Sequence, residues 1–292
     1  MSIPIGIPIK QPKEKLAPPT EMQLRLLLAN DGLDIVQLYI TEHKLPYKVV
    51  NNELVDLLEG TNLWINKFVT EDPDTVAMLE DAKKLAKCED EILITGETGT
   101  GKELIANSMI GDRKGLFVAV NCGGLPEHLI ESELFGHNKG AFTSADSKKQ
   151  GLMMEATDGV LFLDEIGELP LHTQAKLLRA LQEKKIRRVG SNTTEDINCK
   201  FVCATHQNIK QMVENGKFRK DLYARISTFE LHIKPLRERE KDIVPIIKSM
   251  KGGAEFLSWA ERTGLQLHRQ DYSLNVRSVQ QMVKRYSVLG RI

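Results

Sequence analysis

The strongest constraint on this chain is a short run in its first half, where the apolar segment EILIT (91–95) leads into Gly96-Glu97-Thr98-Gly99-Thr100-Gly101-Lys102-Glu103 and then LIANSMI. A strand pattern, a glycine-rich turn and a helical pattern follow one another without a spacer. That order demands a buried strand feeding a helix through a tight turn, the layout in which backbone N–H groups and a helix N-terminus cradle phosphate. Lys102 stands where it reaches the β and γ phosphates. The expected nucleotide-binding residues are therefore Gly96, Glu97, Thr98, Gly99, Thr100, Gly101, Lys102, Glu103 and Leu104. A turn that merely capped a helix would not need a lysine at this offset. Glu103 departs from the general pattern, because a Ser or Thr hydroxyl commonly binds magnesium there; either another group holds the metal or this carboxylate does.

A second element, Gly159-Val160-Leu161-Phe162-Leu163-Asp164-Glu165, is an apolar strand ending in two carboxylates. A buried strand would deliver Asp164 to a magnesium ion, and the adjacent Glu165 would orient and polarise an attacking water. Between Phe68 and Glu238, β-rich runs (EILIT, LFVAV, VLFLDE, CKFVCAT) alternate with helical ones (LEDAKKLAK, KELIANSMI, HTQAKLLRALQEKK). Alternation of this kind predicts an α/β fold with a parallel sheet flanked by helices. From Arg239 to Ile292 the pattern is helical only, as in DIVPIIKSM, GAEFLSWAER and VRSVQQMVKRY, which predicts a small C-terminal helical lid.

Residues 1–67 read differently. The first nineteen residues hold five prolines and predict an extended tail, while EMQLRLLL, DIVQLYI and NELVDLLE predict two or three short helices. Seven basic and eight acidic residues in this stretch favour a packing or partner module over a DNA reader. The whole chain balances 40 Lys and Arg against 40 Asp and Glu, so no global field recruits nucleic acid or a membrane. The four cysteines show no CxxC pair, which argues against a zinc site or a disulfide framework. No run approaches the ~20 apolar residues of a membrane span and MSIPIGIPIKQPKEK lacks a signal-peptide core, so a cytoplasmic protein without membrane contact is expected.

With both phosphate-site elements in place, the chain from about Phe68 onward resembles the AAA+ domain of the bacterial enhancer-binding proteins, the ATPases that activate RNA polymerase carrying sigma-54. The runs GETGTGKELIA, VAVNCGGLPEHLIESELFGHNKGAFTSA, GVLFLDEIGELPLHTQAKLLRALQE, CATHQNI, GKFRKDLYARIS and PLREREKDI stand in family order. The resemblance implies a P-loop AAA+ core, 68–238, with a lid, 239–292, and ATP hydrolysis with Mg2+ between subunits of a ring, roughly a hexamer. A glutamate at the position of Glu103 is usual in the family. Asn121 looks like the switch residue that holds the catalytic Glu165, and Thr205 with His206 like the sensor of the γ-phosphate. Arg219 and Arg225 match the arginine fingers that reach the neighbouring subunit's ATP; six residues apart, they would not share one face of an ideal helix, so a break or two roles are expected. Arg277 in SLNVRSVQ matches the lid's sensor arginine, although Tyr272-Ser273-Leu274 stands where the family usually has Trp-Pro-Gly.

Gly140-Ala141-Phe142-Thr143-Ser144-Ala145 resembles the GAFTGA loop that contacts sigma-54, with Phe142 as apolar anchor and Thr143 as contact. Ser144 replaces a glycine there, and a left-handed backbone at that point would strain it by about 1 kcal/mol. The implied partners are the sigma-54 holoenzyme and further copies of the chain. Members of the family usually carry a receiver or sensory domain before this region and a helix-turn-helix after it, neither of which is recognisable here. Three expectations stay open: that the protein acts from solution without an enhancer, that this is a piece of a longer protein, or that residues 20–67 read DNA. The basic residues 248–292, net +5, could touch DNA backbone, although such charges are more often a solvated face. Two other readings stay open at this point: an ATPase of the same descent remodelling a different protein or nucleic acid, and a nucleotide-binding regulator that does not hydrolyse.

Overall fold

The computed structural model describes residues 47–50, 53–56, 67–142 and 147–292. Its chain divides into two units, residues 1–59 and residues 60–292. In the first unit, β1 (Tyr47–Val50) and β2 (Glu53–Asp56) form an antiparallel hairpin in which Val50 pairs with Glu53. This corrects the helical reading of NELVDLLE. The Asn51-Asn52 pair between KVV and ELV is a hairpin signal, because Asn tolerates the left-handed conformations that tight hairpin turns need. The expected tail and the helices EMQLRLLL and DIVQLYI lie outside the described residues.

The second unit is built on a five-stranded parallel sheet. In chain order it contains α1 (Pro73–Leu85), β3 (Ile92–Thr95), α2 (Lys102–Ser108), β4 (Phe117–Asn121), α3 (Glu127–Phe135), α4 (Leu152–Glu155), β5 (Val160–Asp164), α5 (Leu171–Glu183), β6 (Lys185–Arg187), β7 (Thr194–Asp196), β8 (Lys200–Thr205), α6 (Ile209–Glu214), α7 (Lys220–Ile226) and β9 (Phe229–His232). The strand order is β4-β5-β8-β3-β9. Alternate residues of the strands feed two apolar clusters, one on each face. Leu93, Leu161, Leu163, Phe201 and Cys203 face one side; Ile92, Ile94, Val160, Phe162, Val202 and Ala204 face the other. Strands buried on both faces read as continuous apolar runs, which is why the three central strands, β3, β5 and β8, stand out in the sequence, and the edge strand β4 also reads as apolar although only Val120 in it is buried. The edge strand β9 does not: its burial alternates, with Leu231 buried between the exposed Glu230 and His232.

The lid follows as α8 (Ile243–Lys248), α9 (Gly253–Thr263) and α10 (Val276–Leu289), packed around its own cluster of Leu236, Ile243, Ile247, Phe256, Tyr272, Val279 and Val283. Tyr272 is buried, its hydroxyl donating to Leu267 O at 2.7 Å. No helix among the described residues is long and apolar enough to cross a membrane.

Candidate functional site

Three parallel strands deliver the chemistry to one edge of the sheet. Central β8 is flanked by β3 and β5, so the segments leaving their carboxyl ends are neighbours: the glycine-rich turn after β3, Asp164-Glu165 at the end of β5, and Thr205-His206 at the end of β8. In open parallel sheets ligands bind at this edge. The turn is held in a conformation that requires glycine. Gly99 and Gly101 have φ of 79° and 109°, and a Cβ on Gly99 would stand 2.2 Å from Leu274 O, while one on Gly101 would stand 2.8 Å from the Phe68 ring.

Lys102 begins α2 and is buried, its ammonium donating to Gly96 O at 2.9 Å and lying 3.8 Å from Glu165 Oε1. Burial holds its pKa below the usual lysine range, against the opposing pull of Glu165 and Asp164. Asp164 is shifted the other way: burial first, then the charge of Glu165, raise its carboxyl above the usual range. Glu165 sits at φ 53°, left-handed for a residue with a side chain, directly after the strand. Its carboxylate accepts from the His206 ring Nδ1 at 2.6 Å and the His206 N–H at 3.3 Å. A strained residue at a strand end, held by two polar partners, is the usual signature of a group aimed for function.

The sequence-predicted residues fall into three groups. The nucleotide-binding turn, Lys102, Asp164, Glu165 and His206 meet. Glu103 lies in the first turn of α2, exposed, and its charge is one of those raising Asp164. Thr205 is buried and its hydroxyl accepts from the Gln207 N–H at 3.0 Å, leaving His206 to make the contact with Glu165.

Asn121 ends β4, in register with Asp164, but does not hold Glu165: its Oδ1 accepts from Gly123 and Gly124 N–H at 2.9 and 3.1 Å, capping the turn that follows. Those two local donors hold the side chain in its own turn, and Glu165 takes its bonds from His206. A switch by Asn121 requires its side chain to leave that turn.

Arg219 and Arg225 lie apart from the turn. Arg219 precedes α7 in an extended conformation (φ −74°, ψ 130°) and pairs with Asp221 through two bonds, whereas Arg225 in the last turn of α7 reaches the buried Glu91 at 3.2 Å. The break expected from their spacing falls at the helix start. The segment that resembles the GAFTGA loop is described up to Phe142; Thr143 and Ser144 lie outside the described residues. Phe142 packs edge-on against the His137 ring at 4.9 Å, and His137 Nδ1 is 2.6 Å from Ser132 Oγ. The His137 backbone bridges to Lys149 and Val189, tying the loop's base to the β6–β7 hairpin.

Besides Arg277, the lid and the segment leading into it reach the site through residues that sequence reasoning did not single out. Arg237 grips Glu97 with two bonds of 2.7 Å, which hold the Glu97 carboxyl below the usual range. Arg239 is buried, pairs with buried Asp242 at 2.9 Å and donates to Thr100 O at 3.2 Å. Asn275 donates to Thr98 O, and Arg277 lies so close to the turn that its Cγ would be 3.2 Å from a Cβ on Gly99. The signal for the two arginines was present in PLREREKDI, which offers alternating cations beside a phosphate site.

A parallel sheet of order β4-β5-β8-β3-β9, with a glycine-rich phosphate turn after its central region, paired carboxylates beside it and a helical lid, defines an AAA+ P-loop domain. The sigma-54 interaction domain matches residues 68–232, and the chain belongs to that family. It is 49% identical over 192 residues to the sigma54-dependent transcriptional activator SfnR of Pseudomonas putida, covering 65% of this chain and 52% of that protein. It is 44% identical over 201 residues to the transcriptional regulatory protein GlrR of Escherichia coli (strain K12), covering 68% of this chain and 45% of that one. The chain thus spans about half the length of the curated relatives it matches. Among solved structures, NtrX from Brucella abortus in complex with ATP superposes with a TM-score of 0.66 at 25% identity, covering 91% of this chain and 56% of NtrX.

Proposed function

We propose that this protein hydrolyses ATP at the boundary between copies of itself in a ring and uses the Phe142–Thr143 loop to remodel the sigma-54 RNA polymerase holoenzyme so that promoter DNA opens. One observation carries the reading: Lys102 Nζ stands 3.8 Å from Glu165 Oε1, beside Asp164, at the carboxyl edge of the sheet. Family membership and the ATP complex of NtrX support the same assignment.

In this reading, Lys102 exchanges the carbonyls of Gly96 and Glu97 for phosphate oxygens, which offer it charge-assisted bonds in place of neutral ones. Glu165 orients the attacking water and takes its proton, and His206 keeps the carboxylate aimed. Asp164 fits a divalent cation: two adjacent carboxylates stand at a half-buried strand end, where burial first and then the charge of Glu165 disfavour a bare carboxylate, a cost that a bound cation would offset. Asp164 would hold Mg2+, with Glu103 nearby; when bound, the ion neutralises charge on the phosphate oxygens. Arg219 and Arg225, exposed and away from their own chain's turn, supply the trans cations. Asn121 and Thr205, at the ends of β4 and β8, report the nucleotide state to the loop.

The test is a paired assay on the full chain. Thr143→Ala retains ATP turnover and loses open-complex formation with sigma-54 holoenzyme; unaltered activation in that variant refutes the loop's role. Turnover by the unmodified chain with no open complex on any sigma-54 promoter would instead indicate a different remodelling target.

A further inference from the structure

Asn275 is buried completely and adopts φ 54°, ψ −127°, a conformation that residues with side chains rarely hold. It stands at the entrance to α10, and its amide satisfies partners on two other segments. Its Oδ1 accepts from Leu236 N–H at 2.6 Å, on the segment joining sheet to lid. Its Nδ2 donates to Thr98 O at 3.0 Å and to Glu97 Oε2 at 3.2 Å, both in the phosphate turn. The next residue continues the attachment, Val276 N–H donating to Gly99 O at 3.0 Å. Such a backbone persists only where its surroundings over-determine it, and here the surroundings are the turn itself.

From this geometry we infer that Asn275 is a positioning residue: it fixes the start of α10 to the phosphate turn and so places Arg277, two residues on, against the bound phosphates. The chemistry requires both ends of an amide. Leu236 N–H needs an acceptor, while Thr98 O and the Glu97 carboxylate need a donor, so Asp at this position would keep the first bond and set an oxygen against two others. Serine or alanine would satisfy neither set. Glu97 and Arg237 complete the same junction, but both are partly exposed and open to water. The buried amide is the part that water does not replace.

This inference rests on the nucleotide-site reading, and the experiment separates the two. Fluorescent ADP and a fluorescent non-hydrolysable ATP analogue are titrated into the full chain and into Lys102→Ala, Arg277→Ala, Asn275→Gly, Asn275→Asp and the double variant Asn275→Gly with Arg277→Ala. Glycine tolerates the backbone conformation, so Asn275→Gly folds and isolates the loss of the amide; thermal melting checks this. The expected result is a fall of about tenfold in the preference for the ATP analogue over ADP in both Asn275 variants, equal to that of Arg277→Ala, with no further fall in the double variant. A residue that only stabilised the fold would weaken both nucleotides alike. Additive losses in the double variant, or an unchanged preference in the Asn275 variants while Lys102→Ala loses binding, overturn the inference alone. Failure of the unmodified chain to bind either nucleotide overturns the site reading and this inference with it.

Discussion

The sheet edge and the lid approach the same phosphate turn by different physics. At the sheet edge, Lys102, Asp164 and Glu165 are carried by strands and a helix whose side chains are buried in two apolar clusters, so moving any of them means disturbing the core. The lid has its own cluster around Phe256 and reaches the turn mainly through polar contacts: Asn275 to Thr98, Val276 to Gly99, Arg237 to Glu97 and Arg239 to Thr100. Each such bond is worth only about 0.5–1.5 kcal/mol net, because water competes for the same groups. The contrast teaches how one site can combine groups fixed by a packed core with a cover held on by exchangeable polar bonds.

The contrast can be broken or sharpened by variants on each side. On the sheet side, Lys102→Ala is expected to lower ATP turnover by at least about 100-fold and to weaken nucleotide binding, read by phosphate release and equilibrium titration. Glu165→Gln keeps the shape of the side chain and removes the base; turnover falls by about 10²–10⁴-fold while nucleotide affinity stays near that of the unmodified chain. Normal turnover in this variant would remove Glu165 from its assigned role. On the lid side, Glu97→Gln weakens the pairing with Arg237, an exposed contact, and is expected to change turnover by less than about fivefold. A loss as large as that of Lys102→Ala would mean that the lid is held as firmly as a strand end, and the distinction would collapse.

The smallest expected effect concerns the core alone. Lys200 opens β8, is almost completely buried, and donates to Leu85 O and Cys88 O near the end of α1. Burial pushes its pKa down from 10.5 to about 8. Between pH 8 and 10.5 the unfolded chain therefore holds a proton that the folded chain has released, so stability rises with pH across that window. Melting curves of the unmodified chain should show this rise and those of Lys200→Met should show less of it. Identical pH dependence in the two would contradict the assignment.

Much of the fold and of the candidate site is legible in the sequence. Three strands of the sheet, β3, β5 and β8, were legible because they are buried on both faces and appear as unbroken apolar runs, and the edge strand β4 because its FVAV run is apolar although only Val120 in it is buried. The edge strand β9 was not, since Phe229-Glu230-Leu231-His232 alternates and is only four residues long. The β6–β7 hairpin also escaped notice: its strands are three residues each, and part of what holds it is the Arg188–Glu195 pair and the bridge from His137 to Val189. In the candidate site, the turn and the paired carboxylates were plain from local pattern. Asn275 and Arg237 were not, because their partners lie in a segment 140 or more positions away. Asn121, expected to hold Glu165 in a nucleotide-dependent position, caps its own turn in this structure through Gly123 and Gly124 N–H, a local contact that residue spacing does not reveal.

Sequence alone determined which groups leave the ends of the strands, because strand, turn and helix preferences act over a few residues and the reactive side chains follow directly from them. Tertiary structure decided which remote groups meet. His206 reaches Glu165 because β8 lies beside β5, and Asn275 reaches Thr98 because the lid folds back over the turn. Contacts of that kind depend on sheet order and on burial of apolar surface across the whole domain, and no local propensity encodes them.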